Sequence, residues 1–217
     1  MNNDDPKLLV ARGYDKIGGT YGRMATRSRT LQRNRYETVV LDRLPEGSKV
    51  LDLGCGSGVP TTRRLARRFD VTGVDISEKQ VERARLNVPN ATFVHSDMAA
   101  LDFAAESFDG VTAYYSIIHL PRDEQGPLLS AIVGWLRPGG LLVCSLGTHS
   151  NEVDFDRSWM GAPMFWSGFD SDTNRKMVEE SGFRIIRARE ETTSSARDAE
   201  TFLWIIAERS AERGAAS

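Results

Sequence analysis

The sequence predicts an α/β fold: a doubly wound, mostly parallel sheet with helices on both faces. Three observations carry that expectation. Short β-rich runs alternate with helix-length stretches from Lys49 onward. Two of the runs, Val50-Leu51 and Leu141-Leu142-Val143, are apolar without a break, and a glycine-rich turn follows the first. Such alternation implies βαβ units, and unbroken apolar runs suit strands covered on both sides.

Taken in order, residues 8–21 read as an irregular helix interrupted by Gly13, Gly18 and Gly19. Residues 27–44 read as a better helix, with Leu31, Val39, Val40 and Leu44 on one side and Pro45-Glu46-Gly47 ending it. Strands are expected at 49–53, 71–75, 91–95, 108–115 and 140–146, with helices at 60–68, 78–87 and 123–136. Residues 150–170 read as a long, aromatic-rich connection, followed by a helix at 172–181 and strands at 183–189 and 201–208. No helix separates the last two, so they are expected to be antiparallel neighbours. The chain reads as one domain, 1–217, with a helical lid or cap (1–44), a core (45–208) and a small, polar, disordered tail (209–217).

Composition narrows the function. With 28 basic and 30 acidic residues, the formal net charge is −2, which does not attract nucleic acid. No apolar run approaches the roughly 18 residues of a membrane span. The opening MNNDDPK is acidic and polar, unlike a signal or transit peptide, so a cytoplasmic location is expected. Cys55 and Cys144 are the only cysteines and predict neither a disulfide framework nor a metal site. Arg63, Arg64, Arg67 and Arg68 recur at helical spacing and read as a solvated face.

The strongest signal is Val50-Leu51-Asp52-Leu53-Gly54-Cys55-Gly56-Ser57-Gly58, a strand running into glycines and then a helix with Pro60 in its first turn. About twenty residues on, the next strand ends in Asp75, where an acidic side chain accepts from ribose hydroxyls in doubly wound sheets. The glycines read G-x-G-x-G, not the G-x-G-x-x-G of a pyrophosphate site. Asp52 before them would repel a phosphate and suit an ammonium group. S-adenosylmethionine carries an ammonium and a sulfonium and no phosphate.

The ordered set VLDLGCGSG, VTGVDIS, HSDM, FDGVTAYYSIIHL and LRPGGLLVCSLG resembles the motifs of class I S-adenosylmethionine-dependent methyltransferases, over residues 49–208. The resemblance implies a Rossmann-like seven-stranded sheet of order 3-2-1-4-5-7-6 with strand 7 antiparallel. It also implies that S-adenosylmethionine is bound and S-adenosylhomocysteine released. By position, Asp52 would face the methionine ammonium through water, and Gly54, Cys55, Gly56 and Gly58 would line the methionine and ribose. Asp75 would take the ribose hydroxyls, Ile76 would pack on adenine, and Asp97 with Met98 would meet the adenine amino group. Tyr114 and Tyr115 would supply the methionine side of the pocket.

Methyl transfer needs a base only if the acceptor must lose a proton. His119, after the fourth strand, is the expected base or substrate-orienting donor, with a structural histidine as the plainer reading. His149 is the second choice, and His95 reads as structural. In similar enzymes a Y-D-x-x-x-x-x-Y segment, here Tyr14 to Tyr21, folds over the cofactor as a lid; a docking helix is the alternative. Trp159, Met164 and Trp166, in a cluster with Met160, Phe165 and Phe169, would cap an apolar or aromatic small-molecule acceptor or simply pack. The favoured activity is methyl transfer to oxygen, nitrogen or carbon of such a metabolite. The alternatives are a non-catalytic cofactor-binding partner or sensor and, less favoured, an NAD-dependent oxidoreductase.

Overall fold

The structure is a computed structural model that describes residues 5–28, 30–193 and 199–210. Three helices lead: α1 (Pro6–Ile17), α2 (Gly19–Ser28) and α3 (Thr30–Arg43). The core then runs β1 (Lys49–Leu53), α4 (Thr61–Leu65), β2 (Asp70–Asp75), α5 (Glu78–Asn87) and β3 (Thr92–His95). Next come β4 (Phe108–Ala113), α6 (Arg122–Trp135), β5 (Leu136–Leu146), β6 (Asn151–Asp156) and β7 (Met164–Gly168). The last elements are α7 (Ser171–Glu180), β8 (Phe183–Thr192) and β9 (Thr201–Arg209).

Seven strands form one sheet in the order β3-β2-β1-β4-β5-β9-β8. The first five are parallel, while β9 runs antiparallel to both β5 and β8. Counting only this sheet, the order is the expected 3-2-1-4-5-7-6. Successive residues of a strand face opposite sides, and the two cores follow that alternation. Leu51, Leu53, Leu142 and Cys144 face Leu129 and Ile132 of α6 and Val178 of α7. Val50, Leu141 and Val143 face Tyr36 and Val40 of α3 and Val81 and Ala84 of α5. Trp204 of β9, wholly buried, stacks on Tyr36 at 4.3 Å between ring centroids. With β2 on one side of β1 and β4 on the other, successive crossovers leave in opposite directions. That opens a crevice beyond the C-terminal ends of the strands, where ligands bind in such sheets.

Several expectations need correction. Gly13 does not interrupt α1; the break falls at Gly18, with φ 61°. Leu31 is 67% exposed, and α3 instead buries Gln32, Arg33, Tyr36, Glu37 and Val40. The arginines after the glycine turn are not all solvated: Arg64 pairs at 2.9 Å with Glu37, which is fully buried. The fourth strand stops at Ala113, because Tyr115 has φ 59°. Residues 150–170 hold an antiparallel hairpin, β6 with β7, rather than a loop. The expected tail lies outside the described residues, apart from Arg209 at the end of β9 and Ser210.

The hairpin seats α1, the segment expected to act as a lid. Val10 and Ile17 of α1 pack with Ala162, Met164 and Phe165. Gly13 allows the close approach, because a Cβ there would sit 2.7 Å from the Pro163 carbonyl oxygen and 2.9 Å from Met164 Cε. Alanine usually stabilises a helix interior over glycine by up to about 1 kcal/mol. Here the overpacking cost of ~1–3 kcal/mol should win. Gly13→Ala is therefore expected to lower stability in denaturant unfolding and to speed amide exchange in α1, and a stabilised variant would contradict this seating.

Candidate functional site

The crevice is built from the turn after β1. Gly54 has φ 73°, and a Cβ on it would come within 2.3 Å of Ser116 Cβ, so the turn passes close against the end of β4. Its N–H and that of Cys55 donate to the Val74 carbonyl at 2.8 and 3.0 Å, fastening the turn to β2. Asp75 completes the link: Oδ2 accepts from Gly56 N–H at 2.7 Å and Oδ1 from Ser77 N–H at 2.9 Å.

A cleft of about 710 Å³ opens over this turn. Gly54, Cys55, Gly56, Asp75 and Ile76 line it from below, with Met98 beside them. Tyr114 and Tyr115 line it from the end of β4, and Tyr14 and Tyr21 from the lid. Three residues expected at the ligand do not line this cleft. Asp52 is buried beneath the turn, its oxygens accepting from Thr62 at 2.6 Å and Thr112 at 2.8 Å. Gly58 backs onto Val88 and Phe93. Asp97 pairs with Lys7 of α1 at 2.6 Å and accepts from Ala99 N–H.

Burial tunes the acids. It pushes Asp75 up from 3.8 to about 6, against the downward pull of its two backbone donors, and the charge of Asp52 raises it further. Burial also raises Asp52, opposed by the two threonine hydroxyls. The Tyr114 phenol is raised by burial and by the nearby Glu37 and Asp52 carboxylates. Burial and the charges of Asp75 and Asp52 raise Cys55, so it is a poor thiolate nucleophile.

Two functional residues were not legible in the sequence. Arg33 lines the cleft from the buried face of α3, donates to Thr61 Oγ1 at 3.3 Å, and has no partner for its Nε. The Tyr114 hydroxyl, also on the cleft, has no partner either. A cationic fork and a phenol, both buried, are a fitted pair of donors for a carboxylate. The second is Asp15, which accepts from the Ser77 hydroxyl at 2.6 Å and from Lys79 N–H, docking the lid onto the N-terminus of α5. Its position beside Tyr14 was the only available signal.

A second cleft, of about 1150 Å³, lies beyond the first. His149, Trp159 and Trp166 line it, whereas Met164 is wholly buried under α1. Tyr14, Tyr115 and His119 line both clefts and form the wall between them. His119 is 8% exposed, with Nε2 2.9 Å from the Tyr14 hydroxyl and Nδ1 2.8 Å from the Phe165 carbonyl oxygen. His95 is engaged with the Ile76 carbonyl at 3.0 Å. Among the described residues, no group of side chains could hold a metal ion, and no helix is long and apolar enough to cross a membrane.

Residues 50–140 match the methyltransferase-domain family. An uncharacterised methyltransferase of Synechocystis sp. is 28% identical over 70% of this chain and 76% of its own length. The 2-methyl-6-phytyl-1,4-hydroquinone methyltransferase of the same organism is 41% identical over 66% of this chain, which spans 46% of that relative. This chain belongs to the class I S-adenosylmethionine-dependent methyltransferases. The fold agrees: magnesium protoporphyrin IX methyltransferase from Synechocystis, solved with S-adenosylhomocysteine, superposes with a TM-score of 0.71 at 23% identity, covering 95% of this chain and all of that one.

In this methyltransferase Asp75 gives a measurable signature. Ionisation is harder in the unliganded fold than in the unfolded chain, so this group's contribution to stability is lost as pH rises from about 4 through about 6. Ribose hydroxyls donating to Asp75, as the family resemblance implies, would reverse that preference, because they would bind the ionised form. Affinity for S-adenosylhomocysteine is therefore expected to be flat above pH 7 and to fall by up to tenfold per unit below about 6. Asp75→Asn should weaken binding about tenfold or more at pH 7.5 and remove the acid fall. Calorimetric titration from pH 5 to 8 measures both, and a wild-type affinity flat to pH 5 would contradict the assignment.

Proposed function

We propose that this protein transfers a methyl group from S-adenosylmethionine to a small, apolar or aromatic metabolite held in the second cleft. The observation that carries the reading is the shared wall of Tyr14, Tyr115 and His119 between two cavities. A donor on one side and an acceptor on the other would meet there in line. Alignment of reacting atoms at about 3 Å supplies much of the rate of a displacement.

The first cleft fits the cofactor by the chemistry of its own atoms. Asp75 accepts ribose hydroxyls, since an ionised carboxylate has lone pairs beyond the two used by Gly56 and Ser77. Ile76 and Met98 offer apolar surface to adenine, and the backbone of Gly54, Cys55 and Gly56 flanks the ribose and methionine chain. Arg33 and Tyr114 hold the methionine carboxylate. Asp97 stays outside this contact set because it does not line the first cleft; it lies beside Lys7 of α1. Asp52 acts from beneath by fixing the turn. When bound, S-adenosylmethionine supplies a methyl carbon made electrophilic by its positive sulfur.

The second cleft supports a compact aromatic acceptor. Trp159 and Trp166 meet edge to face at 5.3 Å between ring centroids, and Phe202 and Ile118 add apolar wall. Polar groups share the lining, among them Asn151, Asp154, Thr201 and Thr148, whose hydroxyl lies 2.9 Å from His149 Nδ1.

Titration with S-adenosylhomocysteine, followed by screening small aromatic metabolites for its release from S-adenosylmethionine, tests the reading. Absence of S-adenosylhomocysteine binding would overturn it, and binding without turnover of any acceptor would favour a sensor. Comparison with 5′-methylthioadenosine, which lacks the amino-acid end, isolates Arg33. Arg33→Met is expected to weaken S-adenosylhomocysteine by about tenfold or more, as for loss of a charge-assisted bond. It should leave 5′-methylthioadenosine within about twofold. Equal losses for both ligands would show that Arg33 only supports the fold.

A further inference from the structure

We propose that the second cleft selects an acceptor with an aromatic body and a protonated amine at its far end, the amine held by Asp154 beside Trp159 and Trp166. The inference rests on the methyltransferase reading and deepens it by naming the class of acceptor. The charge balance of the lining points that way. Asp154 and Glu200 bring two carboxylates to this cleft, and among the described residues no lysine or arginine lines it. Arg33 lines only the first cleft, on the other side of the wall. An anionic acceptor would meet no counter-charge in the second cleft, whereas a cationic one would.

The hairpin sets the geometry. Asp154 of β6 and Trp166 of β7 are direct partners in the antiparallel pair, so their side chains stand on the same face. Side chains opposed in this way start about 5 Å apart, and a cation is attracted to an indole within about 6 Å of its centroid. An ammonium at the Asp154 carboxylate can therefore also sit within range of the Trp166 ring. Trp159 stands edge to face with Trp166 at 5.3 Å between centroids and lines the same cleft. The carboxylate is also available. Asp156, two residues on, accepts from Ser158 N–H at 2.7 Å, whereas Asp154 makes no hydrogen bond or ion pair among the described residues.

A neighbouring histidine adds to the acceptor character. The Thr148 hydroxyl donates to the Thr201 carbonyl at 3.2 Å, so it accepts from His149 Nδ1 at 2.9 Å. In the neutral ring Nε2 is then a further acceptor, which suits a donor such as an amine. Asp154 is exposed, and a carboxylate open to water holds a cation only weakly. The indole supplies an attraction that grows as water is excluded, so the preference needs both groups. Position also sets orientation. Asp154 is not part of the wall of Tyr14, Tyr115 and His119 that the two clefts share. An amine held at Asp154 directs the aromatic body toward that wall and keeps its own charge from the sulfonium.

Calorimetric titration of the protein loaded with S-adenosylhomocysteine tests this with ligands of similar shape and different charge: 2-phenylethylamine, 2-phenylethanol and 3-phenylpropionate. The amine is expected to bind about tenfold tighter than the alcohol, and the carboxylate weaker than both. Asp154→Asn should cut the preference for the amine by about three- to fivefold. Trp166→Leu should weaken the amine more than the alcohol. Asp154→Lys should reverse the order of amine and carboxylate. Neither change at Asp154 should move the affinity for S-adenosylhomocysteine by more than about twofold, because Asp154 lies outside the first cleft. If Trp166→Leu does not fold, the two Asp154 variants carry the comparison. Equal binding of all three ligands, tightest binding of the carboxylate, or no binding of any would overturn the proposal. So would a preference for the amine that survives Asp154→Lys. A wild-type protein that takes up no S-adenosylhomocysteine fails at the underlying reading instead, and the loading step shows that separately.

Discussion

The buried carboxylate of Asp52 is the constraint on which the site depends. A charge removed from water is costly unless its lone pairs are filled. Asp52 sits at 3% exposure, and two threonine hydroxyls fill it, one from α4 and one from β4. That pair of bonds spans the start of the crevice: Thr62 lies just after the glycine turn, and Thr112 on the neighbouring strand. The turn is held between them, and Gly54 can then pass against Ser116 with no side chain in the way. Everything above follows from that position, including the Gly56 N–H offered to Asp75 and the unobstructed floor of the cleft.

A second buried network extends the same logic to α3. Glu37, fully buried, accepts from Thr61 at 2.7 Å and from Arg64, while Arg33 donates to Thr61. Thr61 and Thr62 are adjacent, so one face of α4 answers Asp52 and the other answers Glu37. The consequence is chemical as well as structural. The guanidinium of Arg33 is turned toward the cleft with a donor to spare, over the ring of Tyr115 at 5.2 Å. A buried cation with an unfilled donor is unfavourable in the unliganded protein, and an anionic ligand group relieves it.

The sheet was legible because its strands are short apolar runs whose residues have nowhere else to go. β1 and α5 fall on their expected bounds, since Pro45-Glu46-Gly47 and the Ser77 cap mark them sharply. The strand β6 was not legible. Its Asn151–Asp156 segment is exposed throughout, so no buried face imposes a period, and only pairing with β7 makes it a strand. Arg33 and Glu37 were missed for the opposite reason. Polar residues on a helix read as solvated, yet these two satisfy each other's surroundings through Thr61 and Arg64 inside the protein. Asp75 lines the cleft, a position that depends on one local turn. The pairing of Asp97 with Lys7 was not legible, because the two are 90 residues apart in sequence.

What holds the lid follows from comparing its contacts. Lys7 bridges Asp97 at 2.6 Å and Glu124 at 2.7 Å, but all three side chains keep access to water. Pairs of that kind contribute about 1 kcal/mol or less. The apolar seam is worth more: burying Val10 and Ile17 against Met164 and Phe165 is worth ~1.5–3 kcal/mol for each large side chain. Asp15 adds two hydrogen bonds at the start of α5, and Gln80, nearly fully buried, donates to the Gly18 carbonyl. The lid is therefore located by the hairpin and by α5, and the surface pairs mainly set its register. Both docking points border the first cleft, since Ser77 follows Asp75 and Phe165 holds His119. A contact that closes the cleft thereby also positions the groups that work inside it.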